Sequence, residues 1–320
     1  MGRKQGPRKG SLQFWPRKRY KKSLPRVNWQ ALKKEEVGLL GFIGYKVGMK
    51  SAYVKDLTND SMTKNKRIAI PATVIECPPL KIFSIRFYKN NKVMLDVLND
   101  NIDKELKKVV KLPKTPNTKQ TIEKIEKENE FDDISLIVYS QVKKTNIKKK
   151  PDLTEIGLQG SKEDKMKYIK DNLPKEISVL DVLKEGLVDM RGITTGRGTQ
   201  GPVKRFGISL RFHKSEKGLR KVGSIGPWHP TRVTFRVPMA GQTGFSSRII
   251  YNNKIIAAGK IEEKDINPKG GFKKYGVVKN DYIILKGNVQ GPSKRQVLIT
   301  QALRPTKKQA KQNYEFIGLR

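Results

Sequence analysis

The chain has 320 residues, with 68 lysines and arginines against 30 acidic residues, giving a formal net charge of +38. Such an excess of like charge requires a polyanion to neutralise it, and nucleic acid is the commonest one. The single cysteine, Cys77, excludes an intramolecular disulfide, and no apolar run approaches the roughly 20 residues of a membrane span. We therefore expect a cytoplasmic, nucleic-acid-binding protein that has no membrane partner.

The first third of the chain predicts a basic tail followed by strands. Residues 1–34 contain twelve lysines and arginines, no acidic residue, and scattered aromatic residues without a helical or strand period. We predict a basic N-terminal extension at 1–34, whose aromatic residues suit stacking on bases. The region 35–100 has strand-like runs at 39–44, 68–76, 82–88 and 93–97 and is predicted as the first part of a β-barrel.

The remaining elements predict an interrupted barrel. Residues 101–176, with helices near 121–129 and 162–172, are predicted as an inserted α+β subdomain. Strand-like runs follow at 178–183 and 186–194, so that the barrel continues at 177–194. Further runs at 248–259, 281–289 and 296–303 predict its last part at 248–303, before a C-terminal tail at 304–320. Short strands with Gly and Pro turns favour a closed antiparallel barrel, so the predicted fold class is mainly β.

Residues 195–247 do not fit the strand pattern. They contain nine glycines and four prolines, and a loop of this length inside a compact domain is usually functional. Residues 191–250 hold eight of the 18 arginines, whereas 101–190 hold none. Because arginine forms planar contacts with phosphates and bases, the segregation predicts recognition surfaces at 1–34 and in a central finger at 195–247.

No motif predicts catalysis, a cofactor or a metal. Gly196, Gly198 and Gly201 form a G-x-G-x-x-G pattern, but Pro202 and a polar run follow where a dinucleotide site needs a helix with an apolar face. Two histidines, His213 and His229, with one distant cysteine make no convincing metal site. We therefore predict no enzyme, no cofactor, no metal and no small-molecule substrate.

Trp228 stands between two prolines in the middle of the polar loop. One interpretation is that it packs back on the barrel. The other is that it forms a rigid tip that stacks within folded RNA.

Several sequence words resemble a known family. The chain is similar to the universal large-subunit ribosomal protein L-three family in its archaeal and eukaryotic form. The matching words are GPRKG at 6–10, PRKR at 16–19, FIGYKVGM at 42–49, GLRKVGSIGPWHP at 218–230, MAGQTG at 239–244, GGF at 270–272, YG at 275–276 and KNDYIILKG at 279–287.

The resemblance implies a six-stranded translation-protein β-barrel with long irregular basic extensions and an inserted domain. It implies a structural role in the large ribosomal subunit, with large-subunit (23S) rRNA and neighbouring ribosomal proteins as partners. The finger would reach toward the peptidyl-transferase centre, with Trp228 at its tip and His229 beside it. The Trp-His-Pro word and the short C-terminus favour an archaeal member. Glu216 stands where eukaryotic members carry a methylated histidine, so that modification is not expected.

The predicted rRNA-binding residues come from the two arginine-rich segments. They are Arg3, Lys4, Arg8, Lys9, Trp15, Arg17, Lys18, Arg19, Arg197, Lys204, Arg205, Arg211, Lys217, Arg220, Lys221, Trp228, His229, Arg232 and Arg248. Two other functions stay open at this point. An RNA-modifying or RNA-processing enzyme with basic docking arms would need a cofactor pocket or an acid–base pair. An architectural nucleic-acid binder outside the ribosome would bind bulk DNA or RNA.

Overall fold

A computed structural model describes residues 9–32, 36–113, 122–125 and 131–320. The described part is mainly β, in agreement with the predicted class. The chain divides into two compact units. The arginine-rich unit consists of described residues 9–23 with Ile193–Arg248, and the sheet unit consists of Leu24–Gly192 with Ile249–Arg320.

The largest sheet has seven strands in the order β13-β8-β11-β12-β3-β2-β14, and β13 also pairs with β2. This extra pairing closes six of the strands into a ring. The strands are β2 (Gly41–Asp56), β3 (Arg67–Glu76), β8 (Leu187–Ile193), β11 (Ser247–Gly259), β12 (Tyr282–Lys286), β13 (Gln296–Gln301) and β14 (Tyr314–Leu319). The predicted strands at 39–44, 68–76, 186–194, 248–259, 281–289 and 296–303 are thus confirmed, with shifted ends.

The segment predicted as a C-terminal tail contains regular structure. It holds the short helix α5 (Lys307–Ala310) and strand β14, which pairs antiparallel with β2. Tyr314 and Phe316 of β14 pack against the core cluster that contains Val54 and Val74. These two aromatic contacts explain why the segment follows the edge of the sheet.

A second sheet has five strands in the order β1-β7-β6-β4-β5. They are β1 (Gly38–Leu39), β4 (Leu80–Lys89), β5 (Lys92–Leu98), β6 (Asp133–Ser140) and β7 (Leu153–Gln159). The strands predicted at 82–88 and 93–97 are present, but they belong to this sheet rather than to the ring. Strand β4 pairs with β6 along eight residues, so residues 80–98 of the region predicted as the first part of the barrel lie in the second sheet.

The helices accompany the second sheet. Residues 122–125 are helical (α1), and the rest of the helix predicted at 121–129 lies outside the described residues. The helix predicted at 162–172 is confirmed as α2 (Lys162–Asn172), where the side chains of Ser161 and Asp164 form a capping box. The strand predicted at 178–183 is wrong. Ser178 and Asp181 form a second capping box there, which starts the short helix α3 (Val179–Val182).

Four 3-10 helices complete the described part of the chain, at Leu12–Phe14, Trp29–Ala31, Lys104–Lys108 and Val142–Thr145.

A buried polar network joins the two sheets. The hydroxyl of Tyr45 on β2 donates to the Asp152 carboxylate at 2.5 Å and lies 2.7 Å from the Ser140 hydroxyl on β6. Burial, and then the charge of Asp152, raises the pKa of Tyr45, so the phenol stays protonated. No helix in the described part of the chain is long and apolar enough to cross a bilayer.

Candidate nucleic-acid interface

The arginine-rich unit has the most one-sided charge in the structure. Its described residues include seventeen lysines and arginines and one acidic residue, Glu216. Ion pairs cannot balance such a composition within the unit. The unit must therefore use other contacts to order its cations and must leave most of their charge for an external anion.

The two ends of the 193–248 segment pair with each other. Strand β9 (Thr199–Gln200) pairs antiparallel with β10 (Gly241–Gln242). The pairing continues outside these strands, because the amide of Arg197 donates to the carbonyl of Thr243 at 2.9 Å. A Cβ at Gly244 would lie 2.0 Å from the carbonyl oxygen of Thr195, and its φ is +72°. Only glycine permits this close approach.

A short helix follows β9 and carries an arginine clamp. Helix α4 (Pro202–Phe206) has proline in its first turn and ends at Gly207, whose backbone is left-handed. Arg205 donates from Nε to the carbonyl of Gln242 at 3.1 Å and from one terminal nitrogen to the carbonyl of Met239 at 2.9 Å. Its other terminal nitrogen donates to the carbonyl of Arg17 at 3.3 Å. One guanidinium thus holds the returning strand and the N-terminal segment together.

An aromatic cluster fixes the N-terminal segment to the same place. The rings of Trp15 and Phe206 stack with centroids 5.9 Å apart, and Phe235 meets Trp15 edge-on at 5.6 Å. The guanidinium of Arg17 lies 4.7 Å from the Phe206 ring centroid and donates to the carbonyl of Ser11. Cation–π contacts of this kind order cations without neutralising them.

Two further arginines are stacked in the same way. The Arg248 guanidinium lies 3.9 Å above the Phe14 ring, and that of Arg19 lies 4.7 Å from the Phe245 ring. The amide of Tyr20 also donates to the carbonyl of Phe245 at 2.9 Å. Residues 14–20 are therefore ordered along the base of the 193–248 segment.

The arginines of this cluster are partly desolvated and close to like charge. Burial, followed by the positive charge of Arg17, lowers the pKa of Arg205, and the same two causes lower the pKa of Arg248. Both guanidinium groups stay charged at neutral pH, because arginine is effectively always protonated in proteins. An anion beside them would relieve both effects, and a phosphate matches the geometry of guanidinium.

Beyond the helix, the segment exposes aromatic and basic side chains. Trp228 is 81% exposed and Phe212 is 67% exposed. Arg211 closes a small turn, where its guanidinium donates to the carbonyl of Val222 and its amide donates to that of Leu219 at 3.1 Å. The exposed ring of Trp228 is therefore available to stack on another molecule, as the interpretation of a rigid tip requires.

Comparisons with known proteins agree with these observations. The family described as "Ribosomal protein L3" matches residues 1–317. The chain is 44% identical to the large ribosomal subunit protein uL3 of Methanosphaera stadtmanae, over 97% of this chain and 95% of the relative. The uL3 proteins of Methanocaldococcus jannaschii and Methanobrevibacter smithii are 41% and 43% identical, over 93% and 96% of this chain and 92% and 95% of the relatives.

The chain belongs to the ribosomal protein L3 family. It is accordingly a ribosomal protein and not an enzyme, so the RNA-modifying or RNA-processing alternative falls away. The resemblance to this family inferred from the sequence words is confirmed, and the relatives named above are from archaeal methanogens. Within the described ranges no group of three or more His, Cys, Asp or Glu side chains could hold a metal ion.

The predicted rRNA-binding residues of this L3-family chain fall into three groups. Arg3, Lys4 and Arg8 lie outside the described residues. Lys9, Trp15, Arg17, Arg205, Arg211 and Arg248 are half-buried in the arginine-rich unit. Lys18, Arg19, Arg197, Lys204, Lys217, Arg220, Lys221, Trp228, His229 and Arg232 are exposed there. The structure thus brings two separate sequence segments together in one unit.

The sequence prediction missed the aromatic residues that order this unit. Phe206, Phe235 and Phe245 contact Trp15, Arg17 or Arg19, and Arg236 lies 5.9 Å from the Phe235 ring. The sequence did contain a signal for these residues, because several phenylalanines lie in a Gly- and Pro-rich segment that has no apolar core of its own. Such residues need a partner to pack on, and the aromatic residues of the N-terminal segment supply it.

Proposed function

We propose that the arginine-rich unit is the main rRNA-binding surface of this protein. As a member of the L3 family, the chain is a structural constituent of the large ribosomal subunit in the cytoplasm, where it binds large-subunit (23S) rRNA and contacts neighbouring ribosomal proteins. The finger at 195–247 extends into folded rRNA toward the peptidyl-transferase centre, with Trp228 at its tip. By ordering this RNA the protein supports subunit assembly and translation.

The observation that carries the proposal is the way the unit orders its charge. The guanidinium groups of Arg17, Arg19 and Arg248 lie over aromatic rings, and such contacts fix their orientation while their positive charge is kept. The same unit carries exposed cations such as Lys18, Arg197 and Lys204, and exposed Trp228 adds a surface for base stacking. Arginine, lysine and an exposed aromatic ring are the groups that bind phosphates and unpaired bases.

The ring of six strands fits the proposed function as a scaffold for the RNA-binding segments. We assign the ring of strands β13-β8-β11-β12-β3-β2 to the six-stranded translation-protein barrel, interrupted by the second sheet. In this assignment, the ring is a scaffold from which the extension at 1–34 and the finger depart. The tail at 304–320 adds strand β14 beside β2.

The test measures how the full-length protein binds large-subunit rRNA as the salt concentration is raised. One variant reverses four exposed charges of the finger, Arg197→Glu, Lys204→Glu, Lys217→Glu and Arg220→Glu. The control reverses four exposed lysines of the sheet unit, Lys107→Glu, Lys149→Glu, Lys150→Glu and Lys184→Glu, so the net charge of the two variants is equal.

Each phosphate contact that is lost reduces the slope of log K against log salt by about 0.7–0.9. We expect the finger variant to lose about three units of slope and the control to lose less than one. Equal losses in the two variants, or wild-type binding without salt dependence, would show that the finger is not the binding surface.

A further inference from the structure

A second basic surface lies in the sheet unit, far along the sequence from the arginine-rich segments. Residues 269–279, which we call the lysine loop, have the sequence KGGFKKYGVVK, with four lysines and no acidic residue. Lys269, Lys273 and Lys274 are exposed, and no ion pair of theirs occurs among the described residues.

The lysine loop is anchored by apolar side chains at every third position. Phe272, Tyr275 and Val278 are 5%, 9% and 1% exposed and belong to one core cluster. The side chains between them point to solvent, as the exposure of Lys273 and Lys274 shows. A loop without a regular strand or helix thus has a buried face and a basic face.

A buried carboxylate fixes the end of the loop. Glu76 is fully buried, and its Oε1 accepts from the amides of Lys279 at 2.9 Å and Asn280 at 3.0 Å. The same oxygen accepts from Asn280 Nδ2 at 2.8 Å, and Oε2 accepts from the hydroxyl of Tyr275. Both carboxylate oxygens of Glu76 therefore accept hydrogen bonds from residues 275–280, which fixes the backbone at the end of the loop.

Backbone contacts fix the middle of the loop. The amide of Phe272 donates to the carbonyl of Gly276 at 2.8 Å, and Asn267 bonds both the amide and the carbonyl of Val278. Lys274 has a φ of +64°, a conformation that glycine or asparagine adopts more readily.

A cleft of about 270 Å³ adjoins the loop at Phe272. Three cationic residues, Lys50, Lys264 and Arg320, contribute to its lining. Its one acidic side chain, Asp265, accepts from the amide and side chain of Asn267 at 2.8 Å. The lining of the cleft therefore carries more positive than negative side chains.

We propose that the lysine loop is a second, preformed rRNA-binding site that takes the phosphate backbone. The proposal rests on the rRNA-binding function proposed above. The surface fits RNA better than a protein partner, because lysine is depleted from protein interfaces and hot spots are built on Trp, Tyr and Arg. Of the apolar side chains of the loop, only Val277 is exposed.

The test again uses the full-length protein and large-subunit rRNA. The loop variant is Lys269→Gln, Lys273→Gln and Lys274→Asn, in which asparagine tolerates the left-handed backbone at 274. The control variant removes the same charge with Lys149→Gln, Lys150→Gln and Lys184→Gln. Thermal melts of both variants without RNA check that the fold is kept.

We expect the loop variant to reduce the slope of log K against log salt by about 2–3 units, at 0.7–0.9 per phosphate contact. The slope of the control variant and the melting temperatures of both variants should stay close to those of the wild type.

An unchanged slope for the loop variant, with wild-type binding still salt-dependent, would overturn the lysine-loop site while leaving the proposed function intact. Unchanged binding to free rRNA with weaker incorporation into subunits would assign the loop to an acidic protein and would also overturn the proposal. If wild-type binding to rRNA did not depend on the salt concentration, that result would instead contradict the proposed function.

Discussion

The guanidinium of Arg205 donates a hydrogen bond to the backbone carbonyl of Arg17, 188 positions earlier in the chain, at 3.3 Å. The same side chain also holds the carbonyls of Gln242 and Met239. A residue predicted from its type to contact RNA therefore has an internal role. The N-terminal segment and the base of the finger are ordered by contacts with each other.

The first prediction concerns this clamp. Arg205→Ala should release the N-terminal segment, because hydrogen bonds from a charged group contribute about 1.5–3 kcal/mol each. Arg205→Lys should release it as well, since lysine keeps the charge but lacks the planar fork that reaches three carbonyls. Hydrogen exchange of residues 9–23 in the full-length protein should rise in both variants.

The control for the clamp is Arg197→Ala, which removes an exposed arginine of the same segment. It should leave the exchange of residues 9–23 unchanged and weaken rRNA binding. If Arg205→Lys protects residues 9–23 as well as the wild type does, charge rather than geometry holds the segment.

The second prediction separates two tryptophans. Trp228 is 81% exposed, so Trp228→Ala should change the free energy of unfolding by less than about 0.5 kcal/mol. If the ring stacks on rRNA, Trp228→Ala should weaken binding by about 1–3 kcal/mol. It should also alter the chemical reactivity of nearby nucleotides in the subunit. Trp15→Ala should instead destabilise the arginine-rich unit, at about 0.5–1.5 kcal/mol for each aromatic pair lost with Phe206 and Phe235.

Melting of the isolated proteins, beside probing of mutant subunits, distinguishes the two tryptophans. Trp228→Ala with a lowered melting temperature and unchanged nucleotide reactivity would contradict the tip assignment. Trp15→Ala with an unchanged melting temperature would contradict the packing role of that cluster.

Much of the fold could be predicted because strands leave a local signal. The apolar alternation of β3 and the capping residues Ser161 and Asp164 of α2 are visible in a few neighbouring positions. Strand partners leave no such signal. Strand β4 is rich in apolar residues, as β3 is, and its pairing with β5 and β6 assigns it to the second sheet. Helix α3 is only four residues long, too short for a helical period to outweigh its apolar residues.

The candidate site was predicted by region but not by role. The segregation of arginine from lysine identified the two segments that form the arginine-rich unit. It could not distinguish Arg205, which binds carbonyls, from Arg197, which is exposed. That difference depends on contacts between residues almost 190 positions apart, which no local pattern encodes.

The third prediction concerns the base of the finger. Gly244→Ala should open the pairing of 194–200 with 241–246, because its Cβ would lie 2.0 Å from the carbonyl oxygen of Thr195. The left-handed backbone alone costs a residue with a side chain about 1–2 kcal/mol. Gly201→Ala is the matched control, since its φ is −66° and no atom lies within 4 Å of the added Cβ. Faster hydrogen exchange at 194–200 is expected for the first variant and not for the second.

The last prediction concerns acid stability and begins at Asp56, the final residue of β2. Its Oδ2 accepts from the hydroxyls of Thr63 at 2.6 Å and Ser61 at 2.7 Å, and its Oδ1 accepts from the amide of Thr58 at 3.0 Å. The Thr63 hydrogen bond contributes most to lowering the pKa of Asp56, burial opposes it, and the bonds from Ser61 and Thr58 add to the lowering. The pKa of this carboxyl is held well below its ordinary value, about 3.9.

Because the folded-state pKa is depressed, the stability contributed by Asp56 is fully present above about pH 4. It is lost as the pH falls through the folded-state pKa, since a protonated carboxyl accepts these hydrogen bonds less well. Asp56→Asn should lower the free energy of unfolding at pH 7 by about 1.5–3 kcal/mol, the contribution of a hydrogen bond to a charged group. The change is measured as a lower midpoint of urea denaturation. The difference in midpoint between Asp56→Asn and wild type should shrink steadily below pH 4.

The control is Asp60→Asn, at an exposed residue of the same turn, which should show no such trend. A difference between Asp56→Asn and wild type that stays constant from pH 7 to pH 2 would mean that the Asp56 charge does not stabilise the turn.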